Sequence, residues 1–269
     1  MASNIIYHYC SAESFYKIIR TKEIWLSNVR FMNDLREGKY VRDVIRKAAE
    51  SGAESVNFTK NHKRVYGQAY VACFSEHEDL FSQWERYANA CRGFAIGFFK
   101  VQLETLLDML SPSGPDTLDR CEGINLVKIK YADKESLYQK LKEDCPSMFK
   151  LVAEDRLTMD GFINEDFAKT LWAYKNPFFC QEDEHRIIYL PSKGWVSNPE
   201  VLGSKAYHSI GAGIRDCYPL KFASVNGIVA RVVLGPLTAT KKMIVQDYLK
   251  DAGLLDVEVR YSDGRGVIK

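Results

Sequence analysis

Residues 176–190 read NPFFCQEDEHRIIYL, with Glu182, Glu184 and Arg186 at alternate positions ahead of an apolar run. In a strand, residues two apart project to one face, so this spacing predicts two carboxylates and a guanidinium side by side. Such a pair can divide labour. One carboxylate stays ionised and stabilises positive charge developing on a sugar carbon, while the other orients or deprotonates a nucleophile. The same E-x-E-x-R spacing also suits a solvated ladder in which Arg186 neutralises one acid.

Three further stretches carry candidate chemistry. His8 sits in NIIYHYC between Tyr7 and Tyr9, where an imidazole either meets a ligand or is hydrogen-bonded structurally. CFSEHEDLFSQWERYA predicts a strand ending at Ser75 and then a helix. Trp84 and Tyr87, three apart, share a face of that helix and read as a stacking wall for a flat ring or as core. Ser75 reads as a ligand contact or as the N-cap of the helix. Metal ligation has little support: C-x-x-C and H-x-x-x-H are absent, and Cys73 with His77 is the nearest approach. The nucleophile elbow G-x-S-x-G and the phosphate-binding glycine motifs are absent too.

The elements that must position these residues are legible in part. NIIYHYCS predicts a strand, Ser11 an N-cap, and AESFYKIIRTK a helix with Phe15, Ile18 and Ile19 on its buried face. EIWLSNV predicts a second strand ending near Ser27. Asn33-Asp34 predicts a turn before a helix whose stripe is Val41, Val44, Ile45 and Ala48. QAYVACFSE and RGFAIGFF predict strands. Residues 100–177 read as mainly helical, with a strand at LVKIKYA, and suggest an insertion or lobe. A strand follows at 186–190, then a long connection rich in Gly, Ser and Pro to about residue 216. VNGIVARVVLGP predicts a strand, KKMIVQDYLKDAG a helix capped by Gly253, and DVEVRYSDG a last strand. Strands and helices without strict alternation predict one α+β domain over residues 1–269, with the insertion at about 100–177.

Bulk properties bound the function. The 269 residues are 46% hydrophobic and 12% aromatic, enough for a sizeable core. A net charge of +2 argues against nucleic-acid binding over a broad basic surface and leaves room for a local patch. No apolar run is long enough to predict a membrane helix. Seven scattered cysteines without a secretion signal predict free thiols in a reducing cytoplasm.

Taken in order, YHYCSAESFYKII, EIWLSNVRFMNDLREGKY, YVACFSEHEDLFSQWERYANACRGFAIGF, FFCQEDEHRIIY and VVLGP resemble the family catalogued as domain of unknown function 2971. Cys10 stands where that family usually has threonine, and Leu35 replaces the proline after Asn33-Asp34, while Glu37 keeps the acidic position. The arrangement more distantly resembles the ADP-ribosyltransferase superfamily. That resemblance implies an α+β core of ADP-ribosyltransferase-like type that uses NAD as substrate and modifies a protein or nucleic-acid acceptor, in a setting such as phage defence or a toxin. It implies Glu184 as the catalytic carboxylate with Glu182 orienting the acceptor. His8, Tyr9, Ser27, Ser75, Trp84, Tyr87 and Arg186 then bind NAD, with Arg186 holding either pyrophosphate or Glu184. Two rival readings stand beside it: a non-catalytic nucleotide- or partner-binding module, and a nuclease with a divalent metal among Glu182, Glu184, Asp34 and Glu37.

Overall fold

The computed structural model describes residues 4–31, 40–41, 43–44, 69–110, 123–144, 170, 172–191, 198–210 and 213–268. It is an α+β arrangement built on a mainly antiparallel sheet ordered β12-β11-β4-β1-β3-β2-β10-β9, with β8 and β5 joined to it through β3. β1 (Ile5–Cys10), α1 (Ala12–Thr21) and β2 (Glu23–Asn28) open the chain. Ser11 caps α1 as expected, its Oγ accepting the Ser14 amide at 3.1 Å. Phe15, Ile18 and Ile19 are buried on the core face of α1.

β3 (Tyr70–Ser75) leads to the short helix α2 (Phe81–Tyr87) and to β4 (Phe94–Phe99). α3 (Lys100–Asp108) follows directly, and its Leu103, Leu106 and Leu107 join the main core with Phe94, Ile96 and Phe98. Of the stretch read as an insertion, β5 (Ile124–Lys128) pairs with β8 (Glu184–Tyr189) inside the main sheet. β6 (Lys130–Tyr131) and β7 (Tyr174–Lys175) form a small parallel pair flanking α4 (Lys134–Asp144). Val41 and Val44 are buried as the stripe required; Ile45, Ala48 and the Asn33-Asp34 turn lie outside the described residues.

The long irregular connection expected before residue 216 is instead a hairpin, β9 (Ala206–Ile210) and β10 (Gly213–Lys221), with β10 paired to β2. Pro219, which has no amide to donate, lies inside β10. It fits because its carbonyl accepts from Gly203 on the edge away from β2, so the missing amide removes no β2 bond. β11 (Val229–Leu234), α5 (Lys242–Asp251) and β12 (Glu258–Tyr261) close the fold, with β11 and β12 parallel. Gly253 takes φ of 75° after α5, and the Gly253 and Leu254 amides return to Lys250 and Leu249 in a Schellman end.

One feature of the sheet creates the site. A strand has two pairing edges, yet β3 has three partners. β8 pairs along all of β3, while β1 and β2 share the other edge. β1 meets it only at Tyr7 opposite Ser75, and β2 only at Ser27 opposite Val71 and Asn28 opposite Tyr70. The sheet therefore forks, and Ala72, Cys73 and Phe74 lie between the prongs. No described helix is long and apolar enough to cross a membrane.

Candidate functional site

A cleft of about 910 Å³ opens at the fork, within the size range of small-molecule sites. Val71, Ala72 and Cys73 of β3 contribute to its lining, with His8 from β1 and Trp25 and Ser27 from β2. Arg86 and Tyr87 come from α2, Lys175 from β7, Phe178 and Phe179 from the 3₁₀ turn Pro177–Glu182, and Glu184 and Arg186 from β8.

His8 closes the fork. Its Nδ1 lies 2.9 Å from the Cys73 carbonyl, which only accepts, so Nδ1 carries the proton. Burial lowers the imidazole pKa despite that backbone bond, so the ring is neutral. Nε2 is left as an acceptor for a hydroxyl in the cleft.

The acidic pair is not a surface ladder. Glu182, Glu184 and Arg186 are 5%, 5% and 1% exposed. Arg186 forks onto Glu184, Nε to Oε1 at 2.5 Å and Nη2 to Oε2 at 2.8 Å, and Nη1 donates to the Trp172 carbonyl. Lys175 donates to Glu182 at 2.7 Å and to Glu184 at 3.1 Å. The quartet is thus electrically balanced, two carboxylates against two cations. Burial opposes ionisation of Glu184, but the Arg186 guanidinium, then Lys175 and a hydrogen bond from Cys73, outweigh it and hold the carboxyl well below the usual range. Glu184 is a fixed negative charge and a poor base. Its backbone amide donates to the Tyr131 hydroxyl at 3.1 Å, and burial pushes that phenol up to about 12.

Strand periodicity accounts for only half of the acidic cluster. Glu184 and Arg186 share the cleft face of β8, but Glu182 ends a 3₁₀ turn and Asp183 takes a left-handed φ of 38° before the strand begins. Lys175, rather than the pleat, brings Glu182 to Glu184. Arg86 reaches Glu182 at 3.7 Å from the exposed side. Arg186, left between two roles by the sequence, is fully engaged with Glu184 and Trp172 and holds the acid.

Other expected residues divide. Ser27 and Tyr87 line the cleft with His8, and burial followed by the Glu182 charge pushes the Tyr87 phenol up. Trp84 does not share that wall. It is 1% exposed and packs edge-on against Tyr9 at 4.7 Å, with Nε1 donating to Asp79. A three-residue step leaves the two rings only about 60° apart on α2, and they border the same cluster. Trp84 is sealed inside it with Tyr7, Tyr9 and Ala88, while Tyr87 is only partly buried at its edge and reaches the cleft. Tyr9 is buried with its hydroxyl on the His77 carbonyl. Ser75 neither lines the cleft nor caps α2, whose N-cap is Leu80. Its hydroxyl donates to the Glu182 carbonyl and accepts from the His77 amide, tying β3 to the acidic turn.

Comparison with family models, curated proteins and solved structures finds no match to this chain.

For a metal, the donor set fits poorly. Lys175 and Arg186 occupy the carboxylate oxygens that a divalent cation would need, and no group of three or more ligating side chains occurs among the described residues. Cys73 and His77 turn to different partners, Glu184 and Asp183. Asp34 and Glu37 lie outside the described residues. Sequence reasoning missed Lys175, Arg86, Trp25, Phe178 and Arg215. Lys175 carried a faint signal, a lysine closing the apolar run LWAY shortly before the acidic pair.

Proposed function

We propose that the forked-sheet cleft binds NAD and transfers its ADP-ribosyl group, in the manner of an ADP-ribosyltransferase-like fold. The observation that carries this reading is that His8 and Glu184, about two thirds of the chain apart in sequence, line one cleft of nucleotide size. The cleft is also cationic. Among the described residues, Arg86, Lys134 and Arg215 line it in addition to Lys175 and Arg186 of the charge-balanced quartet, and this excess of cations favours a pyrophosphate-bearing ligand.

The residues supply positioning and electrostatics. The neutral His8 Nε2 accepts a hydrogen bond from a ribose hydroxyl. Tyr87 and Phe179 offer rings beside the reacting end. As the bond from the anomeric carbon to the nicotinamide nitrogen breaks, its electron pair leaves with nicotinamide and the sugar gains oxocarbenium character. The Glu184 carboxylate, ionised and preorganised in a buried site, stabilises that charge. An acceptor then forms the new bond to the anomeric carbon and loses its proton to water at the open mouth. Incubation of the purified protein with NAD is expected to release nicotinamide, and His8→Ala and Glu184→Gln each to reduce release by at least 100-fold, in line with loss of one preorganised group.

A second reading has its own observation. Both Glu184 oxygens are already held by Arg186 and Lys175, which lowers the field available to a ligand. That favours a nucleotide-binding module without turnover. It predicts saturable NAD or ADP-ribose binding by calorimetry with no nicotinamide released.

A further inference from the structure

The cleft mouth bears on the acceptor, given the transferase reading above. Phe178 lines the cleft yet is 79% exposed, and Phe31 is 38% exposed. Single exposed apolar side chains are ordinary, but two phenyl rings on the lip of one polar cleft present flat faces to whatever enters. Cations sit beside rings here. The Arg215 guanidinium lies 5.6 Å from the Phe31 ring, and Arg86 lies 5.6 Å from Phe179. Among the described residues, Lys134 and Arg215 line the cleft without a carboxylate partner. The mouth therefore offers rings interleaved with cations, of which Lys134 and Arg215 have no carboxylate partner among the described residues.

That pattern matches a chain of alternating flat bases and phosphates. Unpaired bases stack on aromatic side chains and phosphates take the cations, whereas duplex bases are already stacked on one another and offer phenyl rings no face. An acidic polypeptide satisfies the cations but leaves the rings without stacking partners. We infer that the acceptor is single-stranded nucleic acid docked across this mouth, with Phe178 and Phe31 stacking bases and Lys134 and Arg215 contacting phosphates. An unpaired base is thereby presented to the anomeric carbon. The carbon–nitrogen bond to nicotinamide breaks with its electron pair leaving on nicotinamide, and a ring heteroatom of the base forms the new bond and releases its proton to water. With a net charge of only +2, binding rests on this local patch and involves few phosphates.

The test uses the full chain, fluorescein-labelled single strands of mixed-sequence DNA and RNA, and the same DNA as a duplex. Fluorescence anisotropy across a salt series reads docking, and thermal shift reads NAD binding independently. The expected result is micromolar single-strand binding with duplex at least about tenfold weaker. Phe178→Ala weakens it about tenfold, and Arg215→Ala weakens it and lowers the salt slope by about one phosphate. Equal affinity for duplex overturns the proposal, as does binding that ignores both substitutions. An NAD-induced shift without single-strand binding overturns the acceptor assignment and leaves the transferase reading standing. Single-strand binding with the expected substitution pattern but no NAD shift keeps the docking surface and removes the transferase reading.

Discussion

The His8 imidazole donates to the Cys73 carbonyl at 2.9 Å, at the place where β1 and β2 part from β3. The contact does two things. It satisfies a strand carbonyl that has lost its ladder partner, and it fixes the tautomer so that the Nε2 lone pair is free for a ligand. His8→Asn separates the two roles. Asparagine can supply an amide donor near the Nδ1 position but has no lone pair at the place of Nε2. His8→Ala is expected to cost about 1–3 kcal/mol, the penalty of an unpaired buried carbonyl, and Asn to recover part of it. NAD affinity is expected to fall in both. Equal affinity of the Asn variant and the parent by calorimetry rules out the lone-pair role.

The balanced quartet makes Glu184→Gln a stability change as well as a functional one. The exchange leaves Lys175 and Arg186 against Glu182 alone, an uncompensated buried charge worth about 3–5 kcal/mol. Adding Lys175→Met restores neutrality, so urea unfolding is expected to show the double variant as more stable than Glu184→Gln alone. Nicotinamide release stays lost in both. A double variant less stable than the single overturns the charge-balance account.

Stability is expected to fall with acid in two stages. Burial is the leading cause that lowers the imidazole pKa values of His8, His185 and His208. The unfolded chain takes up these protons near pH 6.5 while the native state refuses them, so stability drops as pH falls below about 6.5. Glu184 and Asp216 are depressed carboxylates, Asp216 to about 2 through bonds from Tyr70, Lys205 and Asn28 that outweigh burial. Their stabilisation is present above the unfolded carboxylate range near pH 4 and is lost below it. Both groups act in one direction. A melting temperature that rises from pH 7 to pH 5 contradicts this.

Two glycines separate space from conformation. A Cβ on Gly93 would lie 2.1 Å from the Cys10 carbonyl oxygen, where β4 closes on β1. Gly227 has φ of +64° and open space around it. Gly93→Ala is expected to be severe, above about 4 kcal/mol, and Gly227→Ala to cost about 1 kcal/mol from backbone strain alone. Chemical denaturation that ranks them the other way contradicts the close approach at Gly93.

Local signals in the sequence determined the elements: the Ser11 cap, the Phe15–Ile18–Ile19 face, the Gly253 end and the alternation that puts Glu184 beside Arg186 all depend on residues a few positions apart. The Gly- and Ser-rich stretch before residue 216 hid a hairpin because pairing with β2, not propensity, makes it a strand. Trp84 and Tyr87 differ in role because the Tyr9 cluster seals Trp84 completely while Tyr87, on the same side of α2, is only partly buried where the cleft begins. The fork at β3 was invisible, since which strands share an edge depends on contacts far apart in the chain. So was Lys175, whose partners are chosen by a backbone turn at Asp183 and by burial. The sequence by itself supplied the charges and most of the strands, the β9–β10 hairpin excepted. Tertiary structure alone decided which charges meet, because a buried ion pair forms only where packing excludes water and leaves each charge no other partner.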